Sequence, residues 1–360
     1  MISKEILVIY PQVSQTKIAV YRNNNVVFLK TIKHKDKELE AFDQVMDQID
    51  FRVAAITKEL HENDINLGAI EVVVARGGLI KPLKTAGVYE VNDLMIQHLK
   101  EGYQGMHETN LGGILADRIA GQLPNAKALL ADPVVVDELD DIARVTGHPD
   151  VERKSIFHAL NHKYIARKFA KSQNKCYYEM PMIIAHIGSG GISIGAHKGG
   201  RVVDVNQAYD GAGPFSLTRT GTLPIGRLVR ACFSGNYTQD ELMKMITKEG
   251  GIYAHLGTSN IHDIFERIES GDEKAKFYME AMAYNIAKHI GSMAAALDFE
   301  VDAILLSGNI FNYQMFTQFL SKKIKKIAPI ALFPTVNDLD ALAMNSYLAL
   351  KGEIEIHEYK

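Results

Sequence analysis

Short apolar runs alternate with polar punctuation from the start of the chain to Lys33. Residues 5–11, 17–21 and 26–33 are β-rich, and a polar turn and Asn23-Asn24-Asn25 separate them, which predicts an antiparallel meander. A helical stretch follows over about 37–63, then a buried strand over 69–75 that ends at Arg76-Gly77-Gly78. A helix-rich region containing His107-Glu108-Thr109-Asn110-Leu111-Gly112 leads to a strand at 127–131, ending at Asp132-Pro133.

A second series begins with a helix over 154–172. Residues 182–187 read as a buried strand, 188–191 as a glycine turn and 192–197 as the returning strand. Helices are expected over 222–233 and 239–248, and Asp272 is placed to cap a long helix. In that helix Met279, Ala283, Ile286, Ile290, Met293 and Leu297 form a core stripe. A strand at 302–307 ends in Gly308-Asn309, followed by a helix over 312–325, a strand at 329–333 and a last helix over 338–351.

Three strands, helix, strand, helix, strand is the order of a ribonuclease H-like fold, and it occurs twice. Setting Leu7 against Ile183 aligns all three strands of each meander without a gap, at one constant offset. Ungapped agreement in pattern and turn placement favours an internal duplication. The expected architecture is α/β, with two duplicated domains facing across a cleft. Domain one spans 1–150, completed by the C-terminal helix at 338–360; domain two spans 151–337.

Composition narrows the function. An apolar share of 47% with 23% charged residues is that of a soluble globular protein, and 360 residues suit two domains. A net charge of -3, from 40 basic and 43 acidic residues, leaves no footprint for nucleic acid. Cys176 and Cys232 alone make neither a disulfide framework nor a zinc cluster, as expected of a cytoplasmic protein. The N-terminal residues do not read as a signal peptide, and no apolar run is long enough to span a membrane. P-loop, complete dinucleotide-binding and zincin motifs are absent.

Polar residues at the ends of buried strands are the candidates for chemistry, because the strand fixes them while its end leaves them accessible. Arg76, Asp132, His186 and Asp204 qualify. Arg76 beside two glycines suits either a surface or a clamp on carboxylate or phosphate. Asp132 suits either a turn before proline or a carboxylate at a phosphoryl-transfer centre. His158 falls within the first turns of its helix, and Arg219 lies in the Gly/Pro-punctuated segment 210–224. The glycines at 188–191 allow a tight turn, and equally allow backbone N–H groups to approach a phosphate.

Several runs together resemble the butyrate kinases, of the acetate and sugar kinase/Hsp70/actin superfamily. They are Ala75-Arg76-Gly77-Gly78-Leu79, residues 107–112, Asp132-Pro133-Val134-Val135-Val136-Asp137-Glu138, Gly147-His148-Pro149, residues 153–160, 199–206, 210–224 and 282–288. The resemblance covers essentially the whole chain. It implies an actin-like ATPase fold and reversible phosphoryl transfer from ATP to a short-chain carboxylate, linear or branched C4, giving acyl phosphate and ADP with Mg²⁺. It further implies that Arg76 and Arg219 hold the carboxylate and the phosphoryl group, and that His158 and His186 donate to the equatorial oxygens. Asp132 would sit near the metal or nucleophile and Asp338 at the metal. Lys17, Gly188, Gly190, Gly191, Asn260, Gly308 and Asn309 would line the nucleotide side, and the protein would be a homo-oligomer, a dimer or larger.

Departures from the family pattern fall on that nucleotide and metal side. Residues 10–17 read Tyr-Pro-Gln-Val-Ser-Gln-Thr-Lys where the family has Asn-Pro-Gly-Ser-Thr-Ser-Thr-Lys, and the second hairpin is one residue longer. Asn260 and His262 replace Asp and Arg, Asn309 a second Gly, and Asp338 a Glu. Three readings follow: a butyrate kinase with a divergent nucleotide pocket, a kinase using another phosphoryl donor, or a nucleotide-impaired carboxylate-binding paralogue.

Overall fold

Residues 5–23, 25–188 and 191–360 are described by the computed structural model. Asn24, Ser189 and Gly190, which belong to the turn and nucleotide-side readings above, lie outside the described residues, as does the segment 1–4. The chain forms two compact units. One runs to Val136 and takes in Asn337–Lys360; the other is Asp137–Val336.

The first unit is built on β1 (Glu5–Pro11), β2 (Gln15–Arg22), β3 (Asn25–Lys33), β4 (Ile70–Arg76), β5 (Val88–Glu90), β6 (Lys127–Ala131) and β12 (Ile356–Glu358). Their order in the sheet is β12-β5-β6-β4-β1-β2-β3. The meander β1-β2-β3 is antiparallel, whereas β1 pairs with β4 and β4 with β6 in parallel. Every residue of β1 is buried, as expected of a strand covered on both faces. The helix Leu111–Ala120 packs on β4 and β6. Its Gly112 lies so close that an added Cβ would stand 2.2 Å from the Arg76 carbonyl oxygen, so the helix presses directly on the strand end.

The second unit is built on β7 (Met182–Gly188), β8 (Gly191–Lys198), β9 (Arg201–Val205), β10 (Ala303–Ser307) and β11 (Ile330–Phe333), in the order β11-β10-β7-β8-β9. The long helix Glu273–Ala296 buries Met279, Ala283, Ile286, Ile290 and Met293, and Asp272 caps it by accepting from the Ala275 N–H at 2.9 Å.

The repeat extends to register. Leu7 pairs with Val20 and Ile183 with Ala196; Ile9 pairs with Ile18 and Ala185 with Ile194. A register shift falls between Val20 and Tyr21 in β2, and between Ala196 and His197 in β8, at the same offset that separates Leu7 from Ile183.

Two helices differ from expectation. The stretch 37–63 is broken into Asp36–Leu39, a 3-10 turn at Val45–Gln48 and the helix Ile49–Glu62. Local capping accounts for the break: the Gln44 N–H donates to the Asp47 carboxylate at 3.0 Å and starts a new turn. Likewise the helix expected from 154 begins at Ala159. The preceding segment is kept out of the helix, because Arg153 donates to Asp204 at 2.7 Å and the Ala208 N–H to the Ile156 carbonyl at 2.8 Å.

Arg52, fully buried on Ile49–Glu62, ties down the first hairpin. Its guanidinium donates to the Val13 carbonyl at 2.9 Å, the Thr16 hydroxyl at 2.8 Å and Gln48. Arg52→Met is expected to leave those acceptors unsatisfied and to cost about 3 kcal/mol in urea unfolding. A change below about 0.5 kcal/mol, typical of surface sites, would show that the tether contributes nothing.

Candidate active site

In the first unit, parallel pairing brings the ends of β1 and β4 side by side, and with them Tyr10 and Arg76. Arg76 Nη1 donates to the Tyr10 hydroxyl, and lies 3.9 Å from the carboxylate of Asp338, the first residue of the helix Asp338–Leu350. The Tyr10 hydroxyl is in turn hydrogen-bonded to Asp338. Burial pushes the Tyr10 phenol up to about 12; Arg76 opposes the rise and Asp338 adds to it, so the phenol stays neutral. Burial works against the Arg76 charge, but Tyr10 and Asp338 outweigh it and raise the guanidinium above its ordinary value.

A clamp at Arg76 needs ligand room beside the two glycines that follow it. Chain packing fills it instead: a Cβ on Gly77 would meet Pro133 at 2.5 Å, and one on Gly78 would meet Asn110 at 2.6 Å. Asp132, 2% exposed, sits at the end of β6 with φ of +39°. That conformation is costly for a residue before proline. It is held by the Asp132 N–H donating to the Gly87 carbonyl at 2.8 Å, and by Asn345 donating to Oδ2 at 2.8 Å. Lys17 is the cross-strand partner of Tyr10, and Val13 is exposed.

The second unit gathers its candidates on one hairpin. His186 lies on β7 with Nδ1 2.7 Å from the hydroxyl of Ser307, at the end of β10. His158 stands at the N-cap of the helix Ala159–Ser172, one step before the first turn in which it was expected, with Nδ1 2.8 Å from the hydroxyl of Ser193 on β8. The two rings are 4.6 Å apart. A Cβ on Gly188 would lie 3.2 Å from Nε2 of each, so both Nε2 atoms face that glycine. Gly188 pairs in register with Gly191, where φ is +139° and a Cβ would meet Arg219 Nη1 at 2.6 Å. Arg219 also donates to the Ala208 carbonyl and lies over the Tyr209 ring, 5.3 Å from its centroid. One glycine pair is therefore bordered by two imidazoles and a guanidinium.

Gly308 and Asn309 follow Ser307 directly, and a Cβ on Gly308 would collide with the Ile187 carbonyl at 2.2 Å. The carboxamide oxygen of Asn260 accepts from the His262 N–H at 3.0 Å and caps the helix Ile261–Glu269. Asp204, the fourth strand-end candidate, is ion-paired with Arg153 at 2.7 Å and has a structural role. Among the described residues, no group of three or more His, Cys, Asp or Glu could hold a metal. Asp132 and Asp338 are hard carboxylates of the kind Mg²⁺ takes, one or two at a time with water and phosphate oxygens filling the shell; Asp132 is already bonded to Asn345, and Asp338 to Tyr10.

Ser193, Ser307 and Asn345 escape sequence reasoning, being small polar residues in apolar runs or on a helix. The repeat does offer a signal for Tyr10, since the same offset places it opposite His186.

A family model described as the acetokinase family matches residues 148–329. Butyrate kinase 2 of Clostridium acetobutylicum is 46% identical over 356 residues, covering 99% of this chain and 99% of that protein. The chain belongs to the acetokinase family. A probable butyrate kinase of Bacteroides thetaiotaomicron is also 46% identical, over 99% of this chain and 100% of its own. Among solved structures, the acetate kinase of Porphyromonas gingivalis matches with a TM-score of 0.77 at 17% identity, covering 97% of this chain and 100% of that one. That likeness establishes for this acetokinase-family chain the actin-like α/β fold that the family resemblance implies.

Three buried histidines are held neutral. Burial is the leading cause in each. Arg52 helps bring His34 down to about 4; His186 and Lys163 act on His162, and His162 and Lys163 on His197, both of which lie well below the ordinary value. As pH falls through about 6.5 the unfolded chain protonates these rings while the folded chain does not, so the unfolded state binds more protons and stability drops. Between pH of about 6.5 and 5.5 the slope is expected to approach three protons, ~4 kcal/mol per pH unit at its steepest. Urea unfolding across that window checks it; a flat profile would mean that the folded rings are charged.

Proposed function

We propose that this chain is a carboxylate kinase of the butyrate kinase type, reversibly moving the γ-phosphoryl group of ATP onto a short-chain carboxylate. The observation that carries the reading is the gathering of His158, His186 and Arg219 around the Gly188–Gly191 pair. Such a set donates hydrogen bonds and positive charge and contains no strong base. A carboxylate is already a competent nucleophile, so the reaction needs alignment and charge neutralisation rather than proton abstraction.

In the forward direction a carboxylate oxygen forms a bond to the γ-phosphorus, and the bond from that phosphorus to the β,γ-bridging oxygen breaks. The products are acyl phosphate and ADP. Arg76 and Arg219 hold the carboxylate and the phosphoryl group, and His158 and His186 donate from Nε2 to the equatorial oxygens. Tyr10 and Asp338 keep the Arg76 guanidinium in one position. Gly188 and Gly191 allow the nucleotide phosphates to approach the backbone, Gly308 and Asn309 continue the nucleotide side after Ser307, and Lys17 adds positive charge. Mg²⁺, held by Asp132 and Asp338, would neutralise phosphate charge when bound.

Purified protein is expected to form acyl phosphate from butyrate, ATP and Mg²⁺, trapped as hydroxamate. Arg76→Ala should reduce kcat/KM by about a hundredfold or more. No turnover by the wild type with butyrate and its short-chain homologues would sink the reading.

The protein works as a homo-oligomer in this proposal, in the cytoplasm where ATP is available. Its two cysteines are free and exposed. Among the described residues no helix is long and apolar enough to cross a membrane. The helix Ile225–Cys232 has no buried residue, and Ile225, Val229 and the adjoining Phe233 are exposed, an apolar face suited to self-association. Light scattering coupled to size exclusion should give a dimer or larger, and Phe233→Asp should shift it toward monomer; an oligomer unchanged by that variant would place the interface elsewhere.

A further inference from the structure

The histidine pair is backed by a chain of hydrogen bonds that phosphoryl transfer does not by itself require. From His158 Nδ1 it runs to the Ser193 hydroxyl at 2.8 Å, then to His162 Nε2 at 3.0 Å. His162 Nδ1 lies 3.1 Å from His197 Nε2, and His197 Nδ1 lies 2.7 Å from the hydroxyl of Tyr177, in the turn Tyr177–Glu179. Ser193, His162 and His197 are fully buried and Tyr177 is buried. His162 and His197 each use both ring nitrogens, and a neutral ring carries one hydrogen, so each donates on one side and accepts on the other; a direction set at Tyr177 passes through both rings to Ser193, whose own hydrogen is then available to His158 Nδ1.

We propose that Tyr177 is a positioning residue that sets this direction, so that neutral His158 carries its proton on Nε2, the nitrogen facing Gly188. The assignment rests on the proposed role of His158 as a donor to the phosphoryl group. A phenol donates to an imidazole nitrogen far better than it accepts from one. With Tyr177 donating to His197 Nδ1, the His197 proton sits on Nε2 and points at His162 Nδ1. The His162 proton then sits on Nε2 and points at Ser193, whose hydroxyl donates to His158 Nδ1. His158 Nδ1 is thereby an acceptor, and its proton lies on Nε2.

Two neighbours reinforce that sense. The Ser193 backbone carbonyl, an acceptor only, also takes a hydrogen bond from the His162 ring. Lys163 stands 5.6 Å from the Tyr177 ring centroid and is ion-paired with Glu138 at 2.6 Å. Its positive charge discourages a second proton on His162 or His197, and a doubly protonated ring would erase the direction of the chain. A reversed chain would put all three protons on Nδ1 and leave His158 Nε2 a bare lone pair turned toward phosphate oxygens, which would repel it.

The test is two-bond ¹H–¹⁵N correlation on the full-length protein with ¹⁵N-labelled histidine, which reads each ring's tautomer without reference to activity. His158, His162 and His197 are all expected in the Nε2–H form in the wild type. Tyr177→Phe should convert His158 to a mixture or to the Nδ1–H form. It should also lower kcat for acyl phosphate formation about tenfold, the low end for removing a group that orients a functional histidine, with KM for the carboxylate within about twofold. Nδ1–H rings in the wild type would overturn the proposal. So would a folded Tyr177→Phe protein whose His158 tautomer is unchanged. If Tyr177→Phe does not fold, Ser193→Ala cuts the chain beside His158, and retention of a pure Nε2–H ring there would count against it. A wild type with the expected tautomers but no kinase activity would defeat the functional reading and leave the relay standing.

Discussion

Parallel pairing of the first strand of each meander with the strand that follows the crossover fixes where polar chemistry can occur. β1 beside β4, and β7 beside β10, are buried almost throughout, so a charged or hydrogen-bonding side chain is tolerated only where the pair ends. At the first ending stand Tyr10 and Arg76; at the second, His186 and Ser307. Each is a side-chain hydrogen bond between neighbouring parallel strands at matching places in the repeat. The partners differ, and so does the chemistry: a charged cluster with Asp338 in one unit, an uncharged hydroxyl beside an imidazole in the other.

Much of this was legible in the sequence because strands buried on both faces write long apolar runs, and their ends show as a change of residue type. Arg76, Asp132 and His186 were found in this way, and the constant offset between the two meanders exposed the repeat. The break within 37–63 leaves no mark in the sequence pattern, because apolar spacing carries no record of the Gln44–Asp47 cap. The late start of the helix after His158 is equally hidden, because the tie between Arg153 and Asp204 joins residues 51 apart. Ser307 gave no sign of itself for the same reason: its partner His186 lies 121 residues away. Strands β5 and β12 are three residues each, too short for a period to show.

Tyr10 shows how a departure from a family pattern changes meaning once contacts are known. In the sequence it is one of the departures on the nucleotide and metal side, a tyrosine in place of asparagine. In the fold its hydroxyl joins Arg76 to Asp338, and its buried phenol remains a neutral donor. The cost of carrying a bulky ring there is offset by a fixed guanidinium. Asp132 makes a related bargain, holding a left-handed backbone before proline through Gly87 and Asn345.

The register shift that recurs in β2 and β8 bears on ancestry. A bulge inserts one residue into a pairing, and two hairpins that acquired it separately would have no reason to place it at the same step. Its recurrence between Val20 and Tyr21 and between Ala196 and His197 favours a single ancestral hairpin, shared by the two units through duplication. The backbone of the two meanders is thus more alike than the side chains at their strand ends, where tyrosine and arginine stand in one unit and histidine and serine in the other.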